Sequence, residues 1–204
     1  MKSEEGVVKV ENQIIKVLAE TMEEHKEEGW SIKDNKPWTK FLVKVLKNAG
    51  EKIGYKIQAR DMSEPHNSGE YLNIDVLFFN KSDYGHNSWK SKDYDEPVMP
   101  IAAVELENNP LEEQIIYCLW KLLCLRVSTR LLICYQANED KVLLLKKHLQ
   151  ERILDYSLKE QDTGSLFVII GDESKKRKQQ WWDYYKAYEW GNNRLNEVKI
   201  FPKE

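Results

Sequence analysis

Ile101-Ala102-Ala103-Val104-Glu105-Leu106-Glu107-Asn108-Asn109-Pro110 is the stretch on which the fold turns. Ile101 to Leu106 reads as a short buried strand. Strand alternation puts Ile101, Ala103, Glu105 and Glu107 on one face and Ala102, Val104 and Leu106 on the other. A buried strand thus points two carboxylates the same way at its end. Pro110 opens the next helix, over about 111–125, since proline suits a first helical turn. The run Ile115 to Leu125 is apolar on nearly all sides, which predicts a largely buried helix. Lys121 interrupts it, and Gln114 lies two turns earlier on the same face. Leu131 to Tyr135 follows as a strand, and a strand-helix-strand unit of this kind pairs in parallel with a right-handed crossover.

Upstream, Tyr71 to Phe79 is rich in aromatic and β-branched residues and reads as a strand, with Asn73, Asp75 and Leu77 on one face. Ile53 to Arg60 is a strand before it, and Ser63 to Gly69 a turn-rich loop between the two. Residues 80–99 are polar, and their length marks a functional or mobile insertion. Nearer the start, Val7, Val10, Ile14, Val17, Leu18 and Met22 repeat at helical spacing, predicting a helix over 7–28 closed by Gly29. Trp38, Phe41, Leu42, Val45 and Leu46 form the stripe of a second helix that ends at Ala49, with Gly50 as its stop. Downstream come an amphipathic helix over 139–155, a strand at Leu166 to Ile170, and the ambiguous stretch Trp181 to Tyr185. The order α-α-β-β-β-α-β-α-β predicts an α/β fold: a mixed central β-sheet, its first three strands joined as hairpins, flanked by helices.

The length of 204 residues favours a single domain, and 41% hydrophobic with 32% charged residues suits a globular chain with a heavily charged surface. A net charge of −3 argues against general affinity for nucleic acid, although Lys33, Lys36, Lys40, Lys44 and Lys47, and the run Lys175 to Lys178, form local basic clusters. Cys118, Cys124 and Cys134 all lie in apolar runs without metal-ligand spacing, and read as buried free thiols of a reducing compartment. The first residues lack the apolar segment of a signal peptide, and no stretch is apolar enough to span a bilayer, so a cytoplasmic location without membrane attachment is expected.

Asp75 is the only ionisable residue between Tyr71 and Phe79, and a buried carboxylate costs several kcal/mol unless paired or metal-bound. If its strand neighbours Glu105 and Glu107, three carboxylates converge, and a cation is the simplest relief of their repulsion. Hard oxygen ligands favour Mg²⁺ or Mn²⁺. The alternative is plain: Asp75 on a solvated edge, with Glu105 and Glu107 at a strand end entering a loop. Lys121 either reaches toward the carboxylates or forms a structural ion pair or a surface contact along its stem.

At these residues the sequence resembles the PD-(D/E)XK nuclease superfamily, with its restriction-endonuclease-like fold. The resemblance covers about 37–136 and rests on order: a helix, three strands with Asp75 on the second and Glu105-Leu106-Glu107 on the third, then a helix and a strand. It implies a nuclease-like αβββαβ core at 37–136, with 1–36 as a helical extension and 137–204 as an α/β extension. It further implies that Asp75 and Glu105 bind Mg²⁺ or Mn²⁺ for phosphodiester hydrolysis, with Glu107 orienting a water or holding a second metal. The family's motif usually ends in Lys where Glu107 stands. Some members move that lysine to the following helix, where Lys121 would match and offset charge on the phosphoryl oxygens. Gln114 would position substrate. The expected partner is nucleic acid, DNA in the first instance, with the lysine clusters on its backbone. The Glu107 departure keeps a second expectation open, a catalytically inactive member that binds nucleic acid or protein. The aromatic tail Trp181 to Trp190 is either core or an interface, which would allow a homodimer.

Overall fold

The computed structural model describes residues 12–32, 34–59, 73–81, 99–154, 164–175 and 180–201. Val7, Val10, Lys33, the 63–69 loop, most of the 80–99 insertion and Lys176 to Lys178 lie outside them. The helices are α1 Gln13–Glu24, α2 Lys26–Ser31, α3 Asn35–Lys52, α4 Glu112–Leu123, α5 Glu139–Leu149 and the single turn α6 Trp181–Tyr184. The strands are β1 Tyr55–Ala59, β2 Val76–Asn80, β3 Ala102–Glu107, β4 Thr129–Gln136, β5 Ser165–Asp172, β6 Tyr185–Gly191 and β7 Arg194–Val198. They form one seven-stranded sheet in chain order, β1 to β7.

The fold is α/β, with a mixed sheet between helices. The β1-β2-β3 and β5-β6-β7 pairs are antiparallel, and β3-β4-β5 are parallel. Parallel strands need crossovers, and α4 and α5 supply them. All residues of β4 are buried, as expected of a strand covered on both faces. The stretch 137–204 adds β5, β6 and β7 to the same sheet rather than forming a separate layer.

One face carries Val76, Phe78, Ala102, Val104, Leu106, Leu131 and Ile133 against α1 and α3. The other carries Leu77, Phe79, Ala103, Leu132, Cys134 and Val168 against α4 and α5. Asn12 caps α1, its side chain accepting from the N–H groups of Ile14 and Ile15 (3.1 and 3.4 Å). It also donates to Thr129 Oγ1 (2.9 Å), tying the helix to the head of β4.

Several element boundaries differ from the sequence expectation, each for a packing reason. α1 stops at Glu24 and α2 follows, so Gly29 lies inside α2 rather than closing a helix. A Cβ on Gly29 would come within 2.8 Å of the Phe41 ring and 2.9 Å of Trp181, so the glycine permits close packing. Gly50 likewise sits within α3, where a Cβ would meet Ile57 Cδ1 at 2.2 Å. Helix 139–155 is α5 followed by a π-helical turn, Gln150–Leu154. Asp75 precedes β2 rather than lying within it, after a turn in which Asn73 has a φ of 56°. The Trp181 to Tyr185 stretch is one helical turn leading into β6, and Trp181, Tyr184 and Tyr185 are buried in the core. Cys124 is exposed, unlike Cys118 and Cys134, where it caps the C-terminal end of α4.

Candidate functional site

The site is assembled where β2 begins and β3 ends. Val76 pairs with Val104 and Leu77 with Ala103, so continuing the register one step sets Asp75 opposite Glu105. Alternation places both on the α4 side, the side of Leu77 and Ala103. Asp75 takes over where the β2–β3 ladder stops: its Oδ2 accepts from the Leu106 N–H at 2.8 Å. The acid therefore has a structural duty in addition to its charge.

Glu105 is almost fully buried. Its counter-ion comes from α4. Lys121 Nζ donates to Glu105 Oε2 at 2.8 Å and lies 2.8 Å from Oε1. The second approach is an ion contact without a directed hydrogen bond, so Oε1 is a buried oxygen lacking one. Lys121 also donates to the Asn73 carbonyl at 2.9 Å. One ammonium thus braces the left-handed turn before β2 against the end of β3. Of the options open for Lys121, the geometry realises the ion pair with the carboxylate.

Burial, then repulsion from Asp75, raises the Glu105 pKa to about 7 despite the hydrogen bond and charge of Lys121. Burial lowers the Lys121 pKa, but its hydrogen bond to Glu105 and the surrounding negative charge leave it above the ordinary lysine value. Glu105 therefore titrates near neutrality, and the pair is fully ionic only above that range.

Glu107 is turned to other work. Its Oε1 accepts from the Asn109 N–H (2.7 Å), and its Oε2 lies 3.6 Å from the Cys118 thiol. Asn109 Oδ1 accepts in turn from the Leu111 N–H (3.1 Å), so Glu107 and Asn109 build the turn into α4. Burial, with the Glu105 charge beside it, holds the Cys118 thiol protonated. Among the described residues no three His, Cys, Asp or Glu side chains gather as a ligand group. Of the three carboxylates expected to converge, Asp75 and Glu105 meet. Gln114 is exposed on α4, before Lys121.

The two carboxylates still suit a hard cation. Mg²⁺ is commonly held by one or two carboxylates with water or substrate oxygens in the remaining positions. The buried Glu105 Oε1, which makes no directed hydrogen bond, is a lone-pair donor of the required kind. Asp75 and Glu105 would hold the ion, with Lys121 giving up one contact.

The basic clusters lie elsewhere. Lys36, Lys40, Lys44 and Lys47 are exposed on α3, which packs on the opposite face of the sheet from Glu105. Lys44 is paired with Glu28, and Lys175 with Glu139 and Asp172. The N-terminal part of α3 does meet the end of β3, through a hydrogen bond from Asn108 Nδ2 to Thr39 Oγ1. Asn73 and Cys118 had no place in the sequence-derived site. Cys118 could have been found, since it lies three residues before Lys121 on one helix face. Asn73 could not, because its carbonyl matters only through a turn conformation.

Comparisons of the chain with protein-family models, curated proteins and solved structures return no match in any of the three. No helix among the described residues is long and apolar enough to cross a membrane.

Proposed function

We propose that this chain is a metal-dependent phosphodiesterase acting on nucleic acid, in the first instance DNA. The observation that carries the proposal is the Asp75–Glu105 pair on one face, with Glu105 buried and raised to a pKa of about 7. A protein gains no stability from such a pair, and strongly perturbed carboxylates of this kind gather at functional sites. Mg²⁺ or Mn²⁺ bound there would supply Lewis-acid polarisation of a phosphate and a water of lowered pKa. Asp75 and Glu105 hold the ion. Lys121, on its rigid helix, keeps an ammonium beside the phosphoryl oxygens as their charge develops. Glu107 fixes the strand end and the start of α4, and Gln114 contacts substrate from the exposed side of that helix. Three free thiols suit a reducing, cytoplasmic setting.

The test combines a Mg²⁺ and Mn²⁺ titration with cleavage of labelled DNA and RNA by wild type, Asp75→Asn and Glu105→Gln. Asn at 75 retains an acceptor for the Leu106 N–H, so lost cleavage reports chemistry rather than folding. Cleavage by both variants equal to wild type would remove the proposal.

One observation favours a second reading, a nuclease-like fold without chemistry that binds nucleic acid or protein. Lys121 already places a positive charge on Glu105, and Glu107 is hydrogen-bonded to its own turn. Folded protein that binds no divalent ion yet retains nucleic acid would favour this reading over the first.

A further inference from the structure

α4 does not bury its whole surface. Tyr117 and Trp120 are 53% and 54% exposed, contrary to the all-round burial expected from its apolar sequence. Their rings lie against each other, with centroids 6.0 Å apart and planes 24° apart. Lys121 Nζ is 5.5 Å from the centre of the Tyr117 ring, and the same ammonium holds Glu105. Lys121 therefore links the aromatic pair to the carboxylate site, touching the Tyr117 ring on one side and Glu105 on the other.

The surroundings restrict what this pair can meet. Glu113 and Gln114, one turn before Tyr117, are exposed, and Lys121 follows Trp120. An apolar protein face laid on the rings would strip water from these polar groups without replacing their hydrogen bonds. A flat ligand with π faces and polar edges meets both demands, stacking on the rings while its edge reaches Gln114. We infer that Tyr117 and Trp120 are a stacking platform for unpaired nucleobases of the strand whose phosphate lies at Glu105 and Lys121. This rests on the phosphodiesterase proposal and specifies its substrate as single-stranded nucleic acid. In an intact duplex the base faces are covered by their neighbours, so a platform of two rings gains nothing from it. Stacking on aromatic rings is tolerant of sequence, so little base preference is expected.

The experiment measures anisotropy of a labelled oligothymidylate in EDTA, which keeps the strand intact, using full-length wild type, Trp120→Leu, Tyr117→Leu and Trp120→Phe. Each leucine variant is expected to bind on the order of tenfold more weakly, with Trp120→Phe close to wild type. Affinity for a blunt duplex is expected not to change. Unchanged oligothymidylate affinity in both leucine variants overturns the inference, as does a wild type that does not bind it. Sedimentation showing a dimer that Trp120→Leu dissociates would also overturn it, assigning the rings to contacts between copies. Mg²⁺ calorimetry on the same proteins separates the two proposals. Mg²⁺ binding intact with no leucine effect removes the platform alone. A leucine effect without any Mg²⁺ binding removes the hydrolytic chemistry and leaves the platform.

Discussion

The two faces of the central strands bury polar groups in opposite ways. On the α3 face, Trp38 Nε1 donates to Tyr135 Oη (2.7 Å), which lies 3.1 Å from Tyr185 Oη, while Tyr184 donates to Glu173. Burial pushes these three tyrosines far above their ordinary range, so they stay neutral, and their rings pack with Trp30, Trp38 and Trp181. On the α4 face, the buried Glu105 is paired with Lys121 while the Asp75 charge repels it, and the Glu105 pKa is raised to about 7. A neutral, hydrogen-bonded network is stable at any ordinary pH and adds rigidity. A buried carboxylate held beside a second acid depends on pH and suits an added cation. The difference sets a neutral, rigid face against one whose charge state changes near neutrality.

The largest effect is expected where the scaffold is cut. Trp181 is fully buried, lies 4.0 Å from the Trp30 ring and donates from Nε1 to the Met22 carbonyl. Trp181→Ala should cost about 3–5 kcal/mol in urea unfolding, with little change between pH 5 and 8. A loss that varied strongly with pH would blur the contrast between the faces.

Lys121→Met should be next. Removing one partner of a buried pair costs about 3 kcal/mol or more when the other remains charged. Without the ammonium Glu105 titrates higher still and escapes by protonating, so the loss should grow as pH rises above about 7 and shrink toward pH 5. Equal losses at both pH values would mean that Lys121 matters through packing alone.

Glu105→Gln should act in the opposite sense. The folded-state pKa of Glu105 is raised to about 7 from 4.5, so between these values the folded chain binds more protons than the unfolded one. Wild-type stability therefore falls as pH rises through that window. The Gln variant is spared the fall and should be more stable at pH 8, by at most about 3 kcal/mol, with the gap closing below pH 4.5. The smallest change belongs to Glu107→Gln. Its amide oxygen can still accept from the Asn109 N–H, so the cost should stay under about 1 kcal/mol.

Much of this arrangement was legible in the residues. The alternation of Ile101 to Glu107 set Glu105 on the face of Ala103, and the crossover rule made β3, β4 and β5 parallel. The apolar stripe of α3 was correct in position, but its end was not. Gly50 looks like a stop in sequence, and only the approach of Ile57 explains a glycine within the helix. β7 was missed although Gly191-Asn192-Asn193 carries a hairpin signal, with both asparagines at positive φ in the structure. The nearness of Asp75, Glu105 and Lys121 was legible, because a charge in an apolar run stands out. The turn role of Glu107 and the exposure of Tyr117 and Trp120 depend on which way α4 faces, and an almost uniformly apolar run holds no periodicity from which to read it.

Mg²⁺ calorimetry at pH 6 and pH 8, in buffers of different ionisation enthalpy, tests the Asp75–Glu105 pair most directly. Metal binding needs the carboxylate ionised. Binding at pH 6 should therefore release about one proton and be weaker than at pH 8, and Glu105→Gln should abolish both the binding and the release. Absence of binding at either pH, or binding that ignores both pH and the Glu105 substitution, would contradict a cation-accepting site.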